Sequence, residues 1–72
     1  MPIVDISISE GRTPEQLRAL VTAVHSAVLE TVNARPEHVT VLLREVPRTR
    51  WALGDTTLAE RDRVLDGRSG GS

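Results

Sequence analysis

The second residue of the chain can provide a neutral amine, which no side chain of this protein provides. Pro2 follows Met1, and removal of a methionine before so small a residue would leave a secondary amine at the mature N-terminus. The chain has nine Arg and no Lys. Because Arg stays protonated, the amine of Pro2 would be the only one in the chain that can be neutral near pH 7. Burial and neighbouring cations would lower its pKa, which predicts a general base. The alternative is that proline is merely a common residue at this position.

Two further residues have the chemical types that bind an anionic, partly apolar substrate. Arg12 stands just before Thr13, a predicted helix N-cap, where backbone N–H groups already favour an anion. A guanidinium can hold a carboxylate through two parallel hydrogen bonds, although a solvated Arg12 paired with Glu10 or Glu15 is the alternative. Trp51, the only aromatic residue, can wall a pocket, stack on an arginine or fill a subunit interface.

Composition excludes several other kinds of site. The chain has no Cys, and the spacing of His25 and His38 matches no metal motif, so we expect no metal and no cofactor. The net charge of -1 argues against a nucleic-acid partner. The apolar runs are far shorter than the roughly 18 residues that cross a bilayer, so we expect no membrane contact and a cytoplasmic protein. Ser9 and Thr40 lack an activating base, so they are candidates for substrate contact and not for nucleophilic attack.

Three regularly patterned segments must position these residues. Residues 2–8 alternate apolar and polar side chains, which predicts a strand. From position 13, the sequence Thr-Pro-Glu-Gln combines an N-cap, a first-turn proline and a capping box, and apolar residues every three or four positions then predict a helix over 13–33. Residues 39–46 predict a second strand. This order is typical of a parallel, right-handed β-α-β unit.

The remainder of the chain predicts only short elements. We expect a hairpin within 48–55, one or two helical turns ending by Leu65, and a disordered Gly/Ser-rich tail at 67–72. The sequence therefore predicts one α/β (α+β) domain over 1–66. Two strands and one helix are too few for an independently stable sheet, so we expect oligomerisation to complete the fold.

Together these features resemble the short 4-oxalocrotonate tautomerase-like branch of the tautomerase superfamily. The resemblance runs from Met1 to about Glu60. It rests on Met1-Pro2-Ile3, on Glu10 to Gln16 at the start of the helix, on Val39 to Glu45, and on Arg50 to Gly54.

The resemblance implies a cofactor-independent isomerase acting on a small carboxylate substrate. Pro2 would shuttle a proton between an enol or dienol acid and its keto isomer. Arg12 would bind the substrate carboxylate or polarise its carbonyl, acting from a neighbouring subunit, and Trp51 would occupy the family's aromatic position in the pocket wall. Family members associate as hexamers built from dimers or as related trimers, which implies a homo-oligomer here, with a hetero-oligomer as a further possibility.

One position departs from the family pattern. The better-known tautomerase carries a second substrate-binding arginine on the outer face of the second strand, where this chain has Thr40. Arg44 lies on the same face of that strand, after Leu42, and is one candidate for supplying the missing cation. Arg48 and Arg50 in the following loop are others, and a different substrate is the remaining explanation.

Two other functions stay open. Hydration or dehalogenation of an unsaturated acid would use a cationic Pro2 as an acid, with Glu10 or Asp5 activating water. Alternatively, the chain is a non-catalytic subunit of a hetero-oligomer, a reading that the missing cation at Thr40 favours.

Overall fold

The two long strands lie side by side in a parallel sheet. In the computed structural model, which describes residues 1–71 and the side chains of residues 1–65, β1 spans Ile3–Ser9 and β2 spans Thr40–Val46. Ile3 lies opposite Thr40, and Ser9 lies opposite Val46. The second strand begins one residue later than predicted, because the Val39 N–H bonds to a short 3-10 turn at Pro36–His38. The predicted parallel β-α-β unit is confirmed.

The helix α1, Pro14–Thr31, connects the two strands and covers one face of the sheet. Its predicted capping box is present: the Gln16 N–H donates to Thr13 Oγ1 at 3.1 Å, and the Thr13 N–H donates to Gln16 Oε1 at 2.9 Å. The apolar stripe of the helix is half-buried, as are alternate residues of both strands. Within residues 1–71, no helix combines the length and apolar character needed to cross a membrane.

The C-terminal part contains a hairpin and a second helix. The strands β3, Ala52–Leu53, and β4, Thr56–Thr57, pair antiparallel around Gly54, whose φ of 65° favours glycine. This hairpin lies further along the chain than the predicted 48–55, because Arg48–Arg50 form a 3-10 turn. The helix α2, Leu58–Gly71, continues past Leu65, where it was expected to end. The tail expected at 67–72 falls on positions whose side chains are outside the described residues, and it stays a prediction.

The single chain has no sealed core. Among the side chains of residues 1–65, no apolar one is fully buried, and Ile3 and Leu42 on the outer sheet face are 65% and 43% exposed. The accessible surface is 5562 Å², whereas a compact chain of this mass exposes about 4,400 Å². The fold therefore leaves one sheet face for another molecule to cover.

Candidate functional site

The predicted site residues lie at opposite ends of the sheet. Pro2 and Thr40 are at the amino end, and Ser9 and Arg12 are at the carboxyl end. β1 has seven residues, which at about 3.3 Å each separate the two ends by about 23 Å. Pro2 and Arg12 of one chain therefore cannot contact the same small substrate.

The first hydrogen bond between the start of β2 and the residue before β1 holds Pro2 in place. The Pro2 carbonyl accepts a hydrogen bond from the Thr40 N–H at 3.0 Å, while its nitrogen has no N–H and takes no part in the sheet. Pro2 is half-buried, whereas Met1 is 91% exposed. Loss of Met1 would thus leave a held secondary amine beside β2. Thr40 itself is exposed, opposite Ile3 on the outer sheet face.

Arg12 is oriented by the loop between β1 and α1. Gly11 has a φ of 128°, a conformation that L side chains rarely adopt, and it turns the chain between Ser9 and Arg12. Arg12 Nη1 donates to the Ser9 carbonyl at 3.0 Å and to Ser9 Oγ at 2.8 Å, not to either neighbouring glutamate. Among the side chains of residues 1–65, none accepts a hydrogen bond from the Nε and Nη2 edge of this guanidinium. That edge can bind a carboxylate through two hydrogen bonds.

Ser9 joins Arg12 to a second arginine. Ser9 is 9% exposed, and its Oγ also accepts a hydrogen bond from Arg48 Nη1 at 3.2 Å. Arg48 in turn donates to both carboxylate oxygens of Asp62, from Nε at 2.5 Å and from Nη2 at 2.8 Å. The hydrogen bonds from Arg48 lower the pKa of Asp62, and the same contact raises the pKa of Arg48. Both groups therefore remain charged.

The sequence alone did not reveal this cluster. It offered Arg48 and Arg50 as loop cations and gave only a weak signal for Asp62. The fork between them depends on how α2 packs against the 3-10 turn that carries Arg48. A carboxylate one turn into a helix that follows an arginine-rich loop is the only signal present, and it is a weak one.

Arg44 and Trp51 have different surroundings from the cluster. Arg44 Nη1 lies 2.5 Å from Asp5 Oδ1 on the outer sheet face, with the two side chains 58% and 46% exposed. Arg44 was the first candidate for the cation that is missing at position 40, and in the single chain its charge is already paired with Asp5. Trp51 is half-buried, and its carbonyl accepts the Leu58 N–H at 2.8 Å. It follows directly on the turn that carries Arg48.

A concavity elsewhere in the chain is not this site. It measures about 350 Å³ and lies between α1 and β2, lined by Arg18, Val21, Thr22, His25, Val39 and Val41. None of the residues chosen for chemistry borders it. His25 Nε2 lies 2.9 Å from the Pro36 carbonyl, which is a contact of the kind expected of a structural histidine. In the isolated chain, this concavity therefore lies apart from the residues chosen for chemistry.

The arrangement divides the chemistry between two ends of one subunit. The amino end presents the proline that can move a proton. The carboxyl end presents Arg12, Ser9 and Arg48, which can bind an anion.

Comparison with known proteins agrees with this fold. A family model described as tautomerase enzyme matches residues 2–61. A probable tautomerase of Halalkalibacterium halodurans is 39% identical over 61 residues, covering 85% of this chain and 100% of that protein. The 2-hydroxymuconate tautomerase of Bacillus subtilis is 37% identical over 62 residues, covering 86% of this chain and 100% of that protein.

A solved structure extends the agreement to three dimensions. The heterohexamer 4-oxalocrotonate tautomerase from Chloroflexus aurantiacus superposes with a TM-score of 0.79 at 32% identity, covering 83% of this chain and 97% of that one. The agreement in fold therefore extends over 83% of this chain. The chain belongs to the tautomerase family, in the short 4-oxalocrotonate tautomerase-like branch.

Proposed function

We propose that the chain is a cofactor-independent tautomerase that interconverts the enol and keto forms of a small 2-oxo acid. The observation that carries this proposal is that a chain of the tautomerase family holds Pro2 at the start of β1 and orients Arg12 at the other end of that strand. Family membership supports the reaction class. The chemistry of Pro2 and Arg12 supports their roles.

In the proposed mechanism, Pro2 acts first as a base and then as an acid. The neutral nitrogen removes the proton from the enol hydroxyl of the substrate and becomes a cation. It then returns the proton to a carbon atom of the conjugated system, so the nitrogen is neutral again at the end of the cycle. Arg12 stabilises the negative charge that develops on the substrate oxygens. Trp51 excludes water from one side of the pocket.

The proposal includes an oligomer, because one chain cannot bring its two ends together. We propose that Pro2 of one subunit faces Arg12 of another in a hexamer or trimer. The exposed Ile3 and Leu42 on the outer sheet face support such an assembly, since association would bury them. The matching protein from Chloroflexus is a heterohexamer, so a mixed assembly is the alternative composition.

The test blocks the amine and leaves all side chains intact. Chain whose mature N-terminus is confirmed by mass spectrometry is compared with the form that retains Met1 and with N-acetylated chain, using phenylenolpyruvate and 2-hydroxymuconate followed by ultraviolet absorbance. We expect blocking to lower kcat/KM by at least about 100-fold, the lower range for loss of an acid–base group. Undiminished turnover by the blocked forms would refute the mechanism. A chain that is inactive alone but active with a partner would indicate a hetero-oligomer.

The hydratase alternative is less well supported by the geometry. It needs a carboxylate that activates water, and one of its two candidates, Asp5, is held in an ion pair by Arg44, which leaves Glu10. A pH profile separates the two mechanisms: activity that falls as the amine gains a proton indicates the base, and the opposite slope indicates the acid.

A further inference from the structure

We infer that Arg48 is a second anion-binding residue of this site, held in place by Asp62 and joined to Arg12 through the hydroxyl of Ser9. In this role it supplies, from the carboxyl end of the sheet, the cation that Thr40 does not provide at the amino end. The inference rests on the proposed function, and it adds a specificity-determining residue and a substrate class.

The two arginines are close and fixed. Both Nη1 atoms donate to Ser9 Oγ, at 2.8 Å for Arg12 and 3.2 Å for Arg48, so these nitrogens lie at most about 6 Å apart. Like charges at such a distance repel each other, and the shared acceptor together with the Asp62 carboxylate offsets that repulsion. The Asp62 fork uses the Nε and Nη2 edge of Arg48 and thereby fixes the plane of its guanidinium.

Several hydrogen-bond donors of the cluster are left for a ligand. With respect to the side chains of residues 1–65, Arg12 keeps its Nε and Nη2 edge, and Arg48 keeps one N–H on Nη1 and one on Nη2. Ser9 Oγ accepts from both arginines, and its own hydrogen has no acceptor among the described side chains. A carboxylate with an adjacent oxygen, as in a 2-oxo acid or its enol, matches this set of donors.

The charges of the cluster indicate how many carboxylates the substrate carries. Arg12 and Arg48 contribute two positive charges, and Asp62 contributes one negative charge. One further carboxylate would balance the charges of these three side chains. Arg44, which could have met a second carboxylate on the outer sheet face, is already paired with Asp5. The cluster therefore favours a monocarboxylate, such as phenylenolpyruvate, over a dicarboxylate such as 2-hydroxymuconate.

Steady-state kinetics of single variants test the role of Arg48. We expect Arg48→Ala to raise KM for phenylenolpyruvate about 10-fold or more with kcat changed less than about threefold, because a lost contact to the carboxylate weakens ground-state and transition-state binding alike. Arg18→Ala is the control: this exposed arginine on α1 bonds through its side chain to Thr22, away from the cluster, and its variant should keep the wild-type KM. Asp62→Asn should raise KM by a smaller factor, since Arg48 remains but is no longer held.

Ser9→Ala covers the case in which loss of Arg48 prevents folding. This variant keeps the fork between Arg48 and Asp62 and removes only the shared hydroxyl. We expect it to fold, as judged by thermal unfolding and mass in solution, and to raise KM severalfold. Wild-type KM in both Ser9→Ala and a folded Arg48→Ala would overturn the inference, and so would a wild-type preference for 2-hydroxymuconate.

A binding measurement separates failure of this inference from failure of the proposed function. 3-Phenylpropionate has the carboxylate but no enolisable oxo group, and its titration is followed by NMR of the arginine Nε–H signals in wild-type and Arg48→Ala oligomers. Weaker binding by Arg48→Ala supports the site even if turnover is absent. Equal binding by both, in a chain whose turnover needs a free Pro2, overturns the role of Arg48 and leaves the tautomerase mechanism standing.

Discussion

Arg12 is the side chain whose removal should lower activity most. Its guanidinium is placed by two hydrogen bonds to Ser9 and keeps one edge for the substrate. Loss of a preorganised donor to a developing oxyanion lowers rates by about 100- to 1,000-fold, so we expect a loss of that size in kcat/KM for Arg12→Ala. Arg18→Ala is the control, because Arg18 is an exposed arginine on α1 whose side chain, among those of residues 1–65, bonds to Thr22 alone. Equal effects of the two variants would show that net charge, not position, is what matters.

A positive charge added at Thr40 should change the preference between a dicarboxylate and a monocarboxylate substrate. Thr40 is exposed on the outer face beside the start of β1, so an arginine fits there without displacing a buried group. We expect Thr40→Arg to raise kcat/KM for 2-hydroxymuconate about 10-fold relative to phenylenolpyruvate, because the second carboxylate gains a cation. Thr40→Gln, of similar length but neutral, should leave the ratio unchanged. The ratio of the two initial rates is the measurement.

At the scale of elements, α2 should be the part of the chain most sensitive to acid. The Thr57 N–H donates to Glu60 at 2.8 Å and lowers the pKa of that carboxyl, and Arg48 lowers the pKa of Asp62. A carboxyl whose pKa is lower in the folded chain stabilises it above the ordinary value and loses that effect as pH falls through the folded value. The helix should therefore loosen below about pH 4.5, the ordinary value for glutamate.

Amide hydrogen exchange at several pH values measures this loosening. We expect protection of α2 amides to fall with acid before that of β1 and β2. Glu60→Gln should remove part of the pH dependence, whereas Glu30→Gln, an exposed glutamate near the end of α1, should not. Parallel loss of protection in all elements would contradict a local role for the cap.

Local patterns were enough to predict β1, α1 and β2, because each is determined by residues close together in the sequence. Thr13 and Gln16 lie within one turn, and a capping box needs nothing else. The turn at Arg48–Arg50 and the length of α2 were missed. The contacts of that region join Arg48 to Asp62 and to Ser9, which lie far apart in the sequence, so no local pattern contains them.

At the scale of the whole molecule, activity and assembly should be lost together. Ile3 and Leu42 are exposed on the sheet face that α1 does not cover, and the two halves of the proposed site lie on opposite ends of each chain. A glutamate at position 42 would place an unpaired charge in the proposed interface, which is strongly unfavourable. We therefore expect Leu42→Glu to lower the mass in solution measured by sedimentation and to lower turnover by at least about 100-fold.

Ser26→Glu is the matched control for this experiment. Ser26 is exposed on the side of α1 opposite its apolar stripe, so the same charge added there should change neither mass nor turnover. Mixing Leu42→Glu with an excess of the chain that retains Met1, which has a normal sheet face but a blocked amine, should restore little activity, because the altered face cannot pack against a normal one. A dissociated Leu42→Glu chain with full turnover would mean that one subunit holds a complete site. Since Pro2 and Arg12 of one chain are about 23 Å apart, that result would require a different pair of catalytic groups.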